Sequence, residues 1–206
     1  MFRKRILYLS TLFTCFVVVG CASVSLKTFV DPSIDPESIR RVAIFPIRNV
    51  RLLPDESREI NRGVTRAFHE RNPNTEIVGP AEAVALLNKA ELADDYSEFL
   101  RDYYTSGIPN MKTLNEIGES LAVDAIMQGE IFDILQIDGS YGSHKGKTSL
   151  TLRYSMLSTR KDIILWEATS NAKKVTFTAL ESAPPLYEVI ELAQEKILSA
   201  LPKLGR

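Results

Sequence analysis

Cysteine and histidine are scarce in this chain of 206 residues, which holds Cys15, Cys21, His69 and His144 and no others of either kind. Four such side chains so far apart supply no zinc set with the usual paired spacing, so no metal or cofactor is expected. Cys15 falls inside an apolar run at the amino terminus. If that run is removed, Cys21 is the only thiol left and an internal disulfide is excluded. Charge of one sign is also lacking, with a formal net charge of −1. Removing Arg3, Lys4 and Arg5 takes the 25 basic residues to 22 against 26 acidic ones, a charge of −4. Such a surface has no bulk attraction for nucleic acid. The apolar run, Ile6 to Val19, is fourteen residues long. A membrane-spanning helix needs about 20. There is no internal repeat and no low-complexity segment.

What is present begins with a three-part leader. Met1 to Arg5 is basic, Ile6 to Val19 is apolar, and Gly20-Cys21-Ala22-Ser23 is small. This is the layout of a signal peptide, here residues 1–20. Val18-Val19-Gly20-Cys21 resembles the bacterial lipobox. That resemblance implies that Cys21 gains a diacylglyceryl group, with palmitate-type acylation, and becomes the new amino terminus. Ala22, rather than an aspartate, follows it, which implies sorting to the outer membrane with the domain on the periplasmic face. Lipid on Cys21 is thus the expected link to a membrane.

The stretch 21–40 carries Pro32 and Pro36 and reads as a lipidated tether. Its 19 residues after Cys21 reach at most about 65 Å when extended. A single domain is expected over 41–206, and the hydrophobic fraction of 45% is that of a globular chain. Val42 to Ile47 is a short apolar run read as a buried strand. Asp55 is placed to cap a helix with Ile60, Val64, Ala67 and Phe68 on one face, and Asn72-Pro73-Asn74 stops it. Thr75 to Val78 reads as a strand, and Pro80 opens a second helix. Asp94 and Asp95 precede a third helix, and Asn110 caps a fourth bearing Leu114, Ile117 and Leu121. The period then changes. Val123 to Asp138 reads as a long strand, Gly139, Gly142 and Gly146 as a loose turn, and Leu150, Leu152, Tyr154 and Met156 as the inward positions of a half-buried strand. Ile163 to Ala168 is another strand, continuing towards Thr178. Leu186, Ile190, Ala193, Ile197 and Leu201 define a last amphipathic helix. The order is β, α, β, three α, three β, α.

Tests for chemistry yield little. Gly146-Lys147-Thr148 lacks the glycine that a phosphate loop requires five residues earlier, where Tyr141 stands, and both flanks read as strand. Gly139 to Ser143 does not match a nucleophile elbow, and nothing in the sequence pairs either histidine with a serine. Asp94, Asp95, Glu98 and Asp102 read as an acidic helix start rather than a calcium site. Asp124 and Glu130 share a strand face, a weak acid–base signal. No catalytic residue is assigned, and the chain is expected not to be an enzyme. Trp166 is expected in the core. Tyr96, Phe99, Tyr103 and Tyr104 put four aromatics into nine residues, more than one helix face usually buries. They are the candidate partner surface.

Three segments carry a resemblance: Val42 to Pro46; Ile117 to Glu130, which contains Leu121-Ala122-Val123-Asp124-Ala125 and Gly129-Glu130; and Leu152 to Trp166. Together they resemble a group of envelope proteins that includes the curli-secretion lipoprotein, the penicillin-binding-protein activator lipoprotein and the amino-terminal domain of TolB. The resemblance spans most of Arg41 to Pro202 and implies an α/β fold, a mixed β-sheet sandwiched or flanked by helices. For function it implies an envelope interaction or assembly module with a protein partner, and self-association stays open. The long inserted hairpins of pore-forming members are missing between Asp133 and Thr148, against a secretion channel. An envelope hydrolase is the remaining alternative.

Overall fold

A computed structural model of the chain describes residues 21–48, 52–161 and 163–205. The apolar leader, with Cys15, lies outside the described residues. The elements are β1 (Ala22–Val30), β2 (Arg41–Ile44), α1 (Pro54–Arg71), β3 (Glu76–Val78), α2 (Pro80–Lys89), α3 (Ala93–Ser106), α4 (Met111–Leu121), β4 (Ala125–Ile137), β5 (Lys147–Ser158), β6 (Ile164–Val175) and α5 (Leu186–Ser199). From β2 onward this is the order read from the sequence. The strands form one six-stranded mixed sheet in the order β1-β6-β5-β4-β2-β3. β2 runs parallel to β3 and β4, and the remaining pairs are antiparallel. The fold is a mixed sheet flanked by helices on both faces.

One face of the sheet carries α1 and α5. Val42, Ile44, Met127, Leu152, Tyr154, Met156, Trp166 and Ala168 meet Val64 and Phe68 of α1 and Ile190, Ala193 and Ile197 of α5 in a single core. The inward alternation of β5 is what the sequence predicted, and Trp166 is fully buried there. The other face carries α2, α3 and α4, but only over part of the sheet. Ala43, Phe45, Ile126 and Leu157 pack there with Leu87, Phe99, Leu114, Ile117 and Leu121. Over β6 and β1 this second face stays open, because it presents Glu167, Thr169, Asn171, Ser25 and Lys27, none of which is buried.

Helix starts follow local chemistry, with one correction. Asp55 does not cap α1. The cap is Leu53, Pro54 is the first helical residue, and Asp55 sits inside the first turn. The Glu56 carboxylate accepts from the Leu53 amide at 2.9 Å, satisfying an otherwise orphan donor. Asn110 caps α4 as expected, its side-chain oxygen accepting from the Thr113 amide at 3.3 Å.

The segment that carried the family resemblance is a packing motif. A Cβ on Gly118 would stand 2.4 Å from the Thr159 Cβ, and one on Gly129 would stand 2.4 Å from Cε1 of Tyr154. Gly129 faces Tyr154 across the β4–β5 register, so the glycine makes room for a ring that is 1% exposed. Between them Ala122 ends α4 at φ +51°, the left-handed cap usually given to glycine.

The stretch read as a tether is instead ordered. Ala22–Val30 pairs with β6 along its whole length, Ala22 opposite Lys174 and Val30 opposite Trp166. Val24 and Leu26 point into the core between Ser23, Ser25 and Lys27. This period-two alternation is the strand's signal in the sequence.

Gly129→Ala is expected to lower stability by about 1–3 kcal/mol, the usual cost of overpacking a closed core. Thermal unfolding followed by Trp166 fluorescence checks this; an unchanged midpoint would show that the Tyr154 ring has room to move.

Candidate functional site

Cys21 is an exposed free thiol that immediately precedes β1. Its carbonyl accepts from the Val175 amide at 3.1 Å, extending the β1–β6 ladder to the cysteine itself. Its backbone is therefore fixed to the domain and not held away from it. β1 is also an outer strand, so the side of its backbone away from β6 is unpaired by the sheet.

The aromatic group on α3 faces inward, and its reading as an exposed partner surface is corrected. Tyr96, Phe99 and Tyr103 are buried and Tyr104 half-buried. They run as a chain of stacked or tilted rings from Phe45, beginning with Phe45–Tyr96 at 4.3 Å. One helix absorbs four aromatics because the sheet beneath is polar as well as apolar. The Tyr96 hydroxyl donates to Gln128, whose amide donates to the carbonyls of Pro46 and Gly129 at 3.1 and 2.7 Å. Further along, Glu130 pairs with Arg48 at 3.0 Å and with Arg153 at 2.9 Å. Both guanidiniums lie over the Tyr104 ring, 5.0 and 5.2 Å from its centre. The tyrosine tips supply the polar handle that a leucine stripe would lack. Burial pushes the hydroxyls of Tyr96, Tyr103, Tyr104 and Tyr154 above the ordinary phenol range. Ser155 opposes this at Tyr103 by hydrogen bonding.

The two carboxylates noted for acid–base work are held apart by separate basic partners. Asp124 accepts from the amides of Arg40 and Arg41 at 2.8 and 3.0 Å and pairs with Arg160 at 2.5 Å. It pins β2 to β4, whereas Glu130 belongs to the arginine cluster. The acidic residues of α3 lie in and beyond its first turn, and Arg101 pairs with Glu98 and Asp102. Among the described residues no group of three His, Cys, Asp or Glu side chains is arranged to hold a metal.

The histidine expectation needs one correction. Ser143 Oγ lies 2.8 Å from His144 Nδ1. The two are neighbours on the exposed β4–β5 turn. Gly146-Lys147-Thr148 enters β5 directly, and Thr148 donates to the Pro184 carbonyl at 2.5 Å. The turn is not loose either. Ser140 and His144 form a bridge across it, and Gly139 and Thr176 tie it to the β6–α5 connection.

A crevice of about 680 Å³ opens where the chain leaves β2 for α1 on one face and β3 for α2 on the other. Such a switch point is where open α/β sheets commonly bind ligands. Its wall includes Pro46, Asn61, Gly79, Pro80 and two arginines. Those arginines are already engaged, Arg58 with Asp55 and Arg62 with Glu59, and Asn61 accepts from the Ile47 amide at 3.0 Å. The lining supplies no nucleophile with a base beside it.

No family model matches the chain, and no curated protein sequence matches it. Solved structures do. The PelC dodecamer from Paraburkholderia phytofirmans shares 13% identity, with 88% of this chain and 99% of that one covered at a TM-score of 0.50. The lipoprotein GNA1162 from Neisseria meningitidis shares 11% identity over 79% and 99%, TM-score 0.44. The LpoB C-terminal domain from Salmonella enterica shares 10% over 69% and 86%, TM-score 0.40. At such identities the likeness is one of fold alone, and it is carried by the PelC match.

These four tyrosines, three buried and Tyr104 half-buried, generate an alkaline limit. Their protons are held in the folded chain above the pH at which the unfolded chain releases them, so their contribution is complete below about pH 10 and falls as pH rises beyond it. Denaturant midpoints measured from pH 8 to 12 should fall above about pH 10. Tyrosinate absorbance from these residues should appear together with unfolding. Smooth ionisation without loss of structure would contradict their burial.

Proposed function

We propose that the chain is a lipid-anchored interaction module of the bacterial cell envelope. Acyl chains on Cys21 hold it to the outer membrane, the domain sits on the periplasmic face, and it acts by binding another envelope protein rather than by catalysis. The observation that carries this reading is Cys21 itself. It follows a signal-like leader and a lipobox-like sequence, its thiol is free and exposed, and the folded domain begins at the next residue. The charged and polar groups of the interior support the non-catalytic part. Asp124, Glu130 and Gln128 are each engaged in holding elements together.

Self-association is a second reading with its own support. The PelC neighbour is a dodecamer, and β1 offers an outer strand edge to a second copy. A membrane-spanning barrel built from inserted hairpins has less support. The connection between β4 and β5 is only residues 138–146, too short for the pair of roughly ten-residue strands that such a hairpin needs.

Globomycin should leave an unprocessed precursor in cells, and Cys21→Ser should move the protein from the membrane fraction to the soluble one. Normal processing under globomycin would sink the anchor. Crosslinking and mass spectrometry on intact cells then separate the partner readings. Links to another envelope protein identify the process served, and a closed set of self-links establishes a ring.

A further inference from the structure

The ordering of β1 fixes which end of the domain meets the membrane. Ala22 pairs with Lys174, Val175 with Lys147, and Lys147 with Ile137. The start of β1, the end of β6, the start of β5 and the end of β4 therefore share one end of the sheet. Neighbouring strands are about 4.8 Å apart, so β5 and β4 begin or end about 10 and 15 Å from the strand bearing Cys21. Acyl chains on a cysteine held this way enter the bilayer beside the domain, with no slack to lift it off.

That end carries what a lipid surface would meet. Of the eleven large hydrophobic side chains exposed among the described residues, six are here: Leu135, Ile137, Tyr141, Phe177, Leu180 and Tyr187. Tyr141 is 86% and Leu180 74% exposed. Four lysines surround them. Lys145 lies over the Phe177 ring at 5.6 Å, Lys174 pairs with Glu188, and Lys147 and Lys173 have no ion pair among the described residues. Two nearby acids, Asp138 and Glu181, are exposed and hydrogen-bonded within the loops; the bonds from Thr178, with Lys145 adding its charge, hold the Glu181 carboxyl below the usual range, so it stays anionic. Asp138 accepts from the Ala183 amide at 2.8 Å, and Glu181 accepts from the Thr178 amide and hydroxyl at 2.9 and 2.7 Å. Asp133, at the β4 bulge, and His144, on the turn, complete the charged or titratable groups of this end.

The two loops are also built as one piece. The Gly139 amide donates to the Glu181 carbonyl at 3.0 Å, the Thr176 amide to Gly146 at 2.9 Å, and the Gln136 and Thr148 side chains both donate to the Pro184 carbonyl. Exposed rings on a braced tip, ringed by lysine, match the chemistry of the headgroup layer, where aromatic side chains sit at the boundary and cations meet phosphate.

We propose that the joined loops 138–146 and 176–185 form a membrane-contact surface that seats Tyr141, Phe177 and Leu180 in the headgroup layer while Lys145, Lys147 and Lys173 meet lipid phosphates. This deepens the anchored-module reading and rests on lipid at Cys21. The contact sets the domain's orientation: β1 rises about 25–30 Å away from the surface, and the opposite end, with Val30 and Asp124, points away from the membrane.

The test installs the anchor chemically, so it does not depend on whether cells acylate the chain. The chain from Cys21 onward, which contains every described element, is coupled through that thiol to a maleimide phospholipid. The vesicles are phosphatidylethanolamine with phosphatidylglycerol, some carrying brominated acyl chains. Phe177→Trp reports the tip, Val30→Trp the far end of β1, and buried Trp166 a constant background. The expected result is a blue shift and at least twofold quenching of Phe177→Trp, with Val30→Trp unaffected. Equal, weak quenching of both probes would overturn the proposal. The variant Lys145→Glu/Lys147→Glu/Lys173→Glu should lose at least half of the Phe177→Trp quenching; unchanged quenching would overturn the phosphate contact. Failure of lipidation in cells would appear separately, as a mature protein without the acyl mass.

Discussion

The pairing of Ala22–Val30 with β6 is the constraint on which the placement of everything else depends. It places the thiol of Cys21 at a fixed corner of the sheet, because the ladder runs unbroken to the carbonyl of that residue. A nine-residue flexible segment would let the domain rotate and lift freely. A nine-residue strand instead makes Cys21 part of the rigid body. The strand is held by a full ladder and by two side chains, Val24 and Leu26, that reach the main core. Its other face is polar apart from exposed Phe29, and its outer edge is unpaired by the sheet, so the segment that fixes Cys21 is also an open border of the sheet.

The two faces of the sheet divide the labour between stability and surface. Under α1 and α5 the face is continuous and apolar, and it extends from β2 to β6, with Tyr154 on β5 near its middle and Trp166 on β6. The opposite face changes character along the strand order. It is apolar at β2, mixed at β4, where Gln128 and Glu130 need partners, and polar at β6 and β1. α3 spans the mixed zone, and its tyrosines suit that place. Tyr96 buries its ring while its hydroxyl reaches Gln128, and Tyr104 instead receives two guanidiniums over its ring face. Arg153 joins the two zones by pairing with Glu130 while lying over Tyr104 and Phe132.

Much of this was legible in the sequence. The helices on Ile60, Val64 and Phe68 and on Ile190, Ala193 and Ile197, the alternation through β5 and the burial of Trp166 all follow from apolar spacing. Those patterns are set by one dominant force, exclusion of apolar side chains from water. β1 is weakly marked in the sequence because only Val24 and Leu26 define its inward face and two prolines follow soon after, so composition outweighs a short period-two signal. The inward facing of the α3 rings is hidden for a different reason. A count of aromatics does not reveal that a polar sheet lies opposite, since Gln128, Glu130 and Arg153 are distant in sequence and meet Tyr96 and Tyr104 only in the fold. The Ser143–His144 contact and the lacing of the two loops likewise depend on backbone positions that side-chain patterns do not encode.

The motif that resembled a family turns out to describe packing, and this decides where function must be sought. Gly118 yields space to Thr159, Gly129 yields space to Tyr154, and Asp124 ties the start of β4 to the backbone of β2. Residues of this kind recur wherever the same sheet and helices must close, whatever the protein does. What distinguishes this chain is then its surface: a rigidly mounted Cys21, an apolar and basic tip beside it, an unpaired strand edge and an open polar face on β6 and β1. The first two lie together at one end, while the strand edge runs the length of the sheet away from that end. Under the proposed anchoring, a partner approaching from the periplasm would find the edge and the polar face side by side, already oriented by the mount. The ordered strand thus links the two halves of the proposed activity, because the residues that position the domain are continuous with those that offer it to another protein.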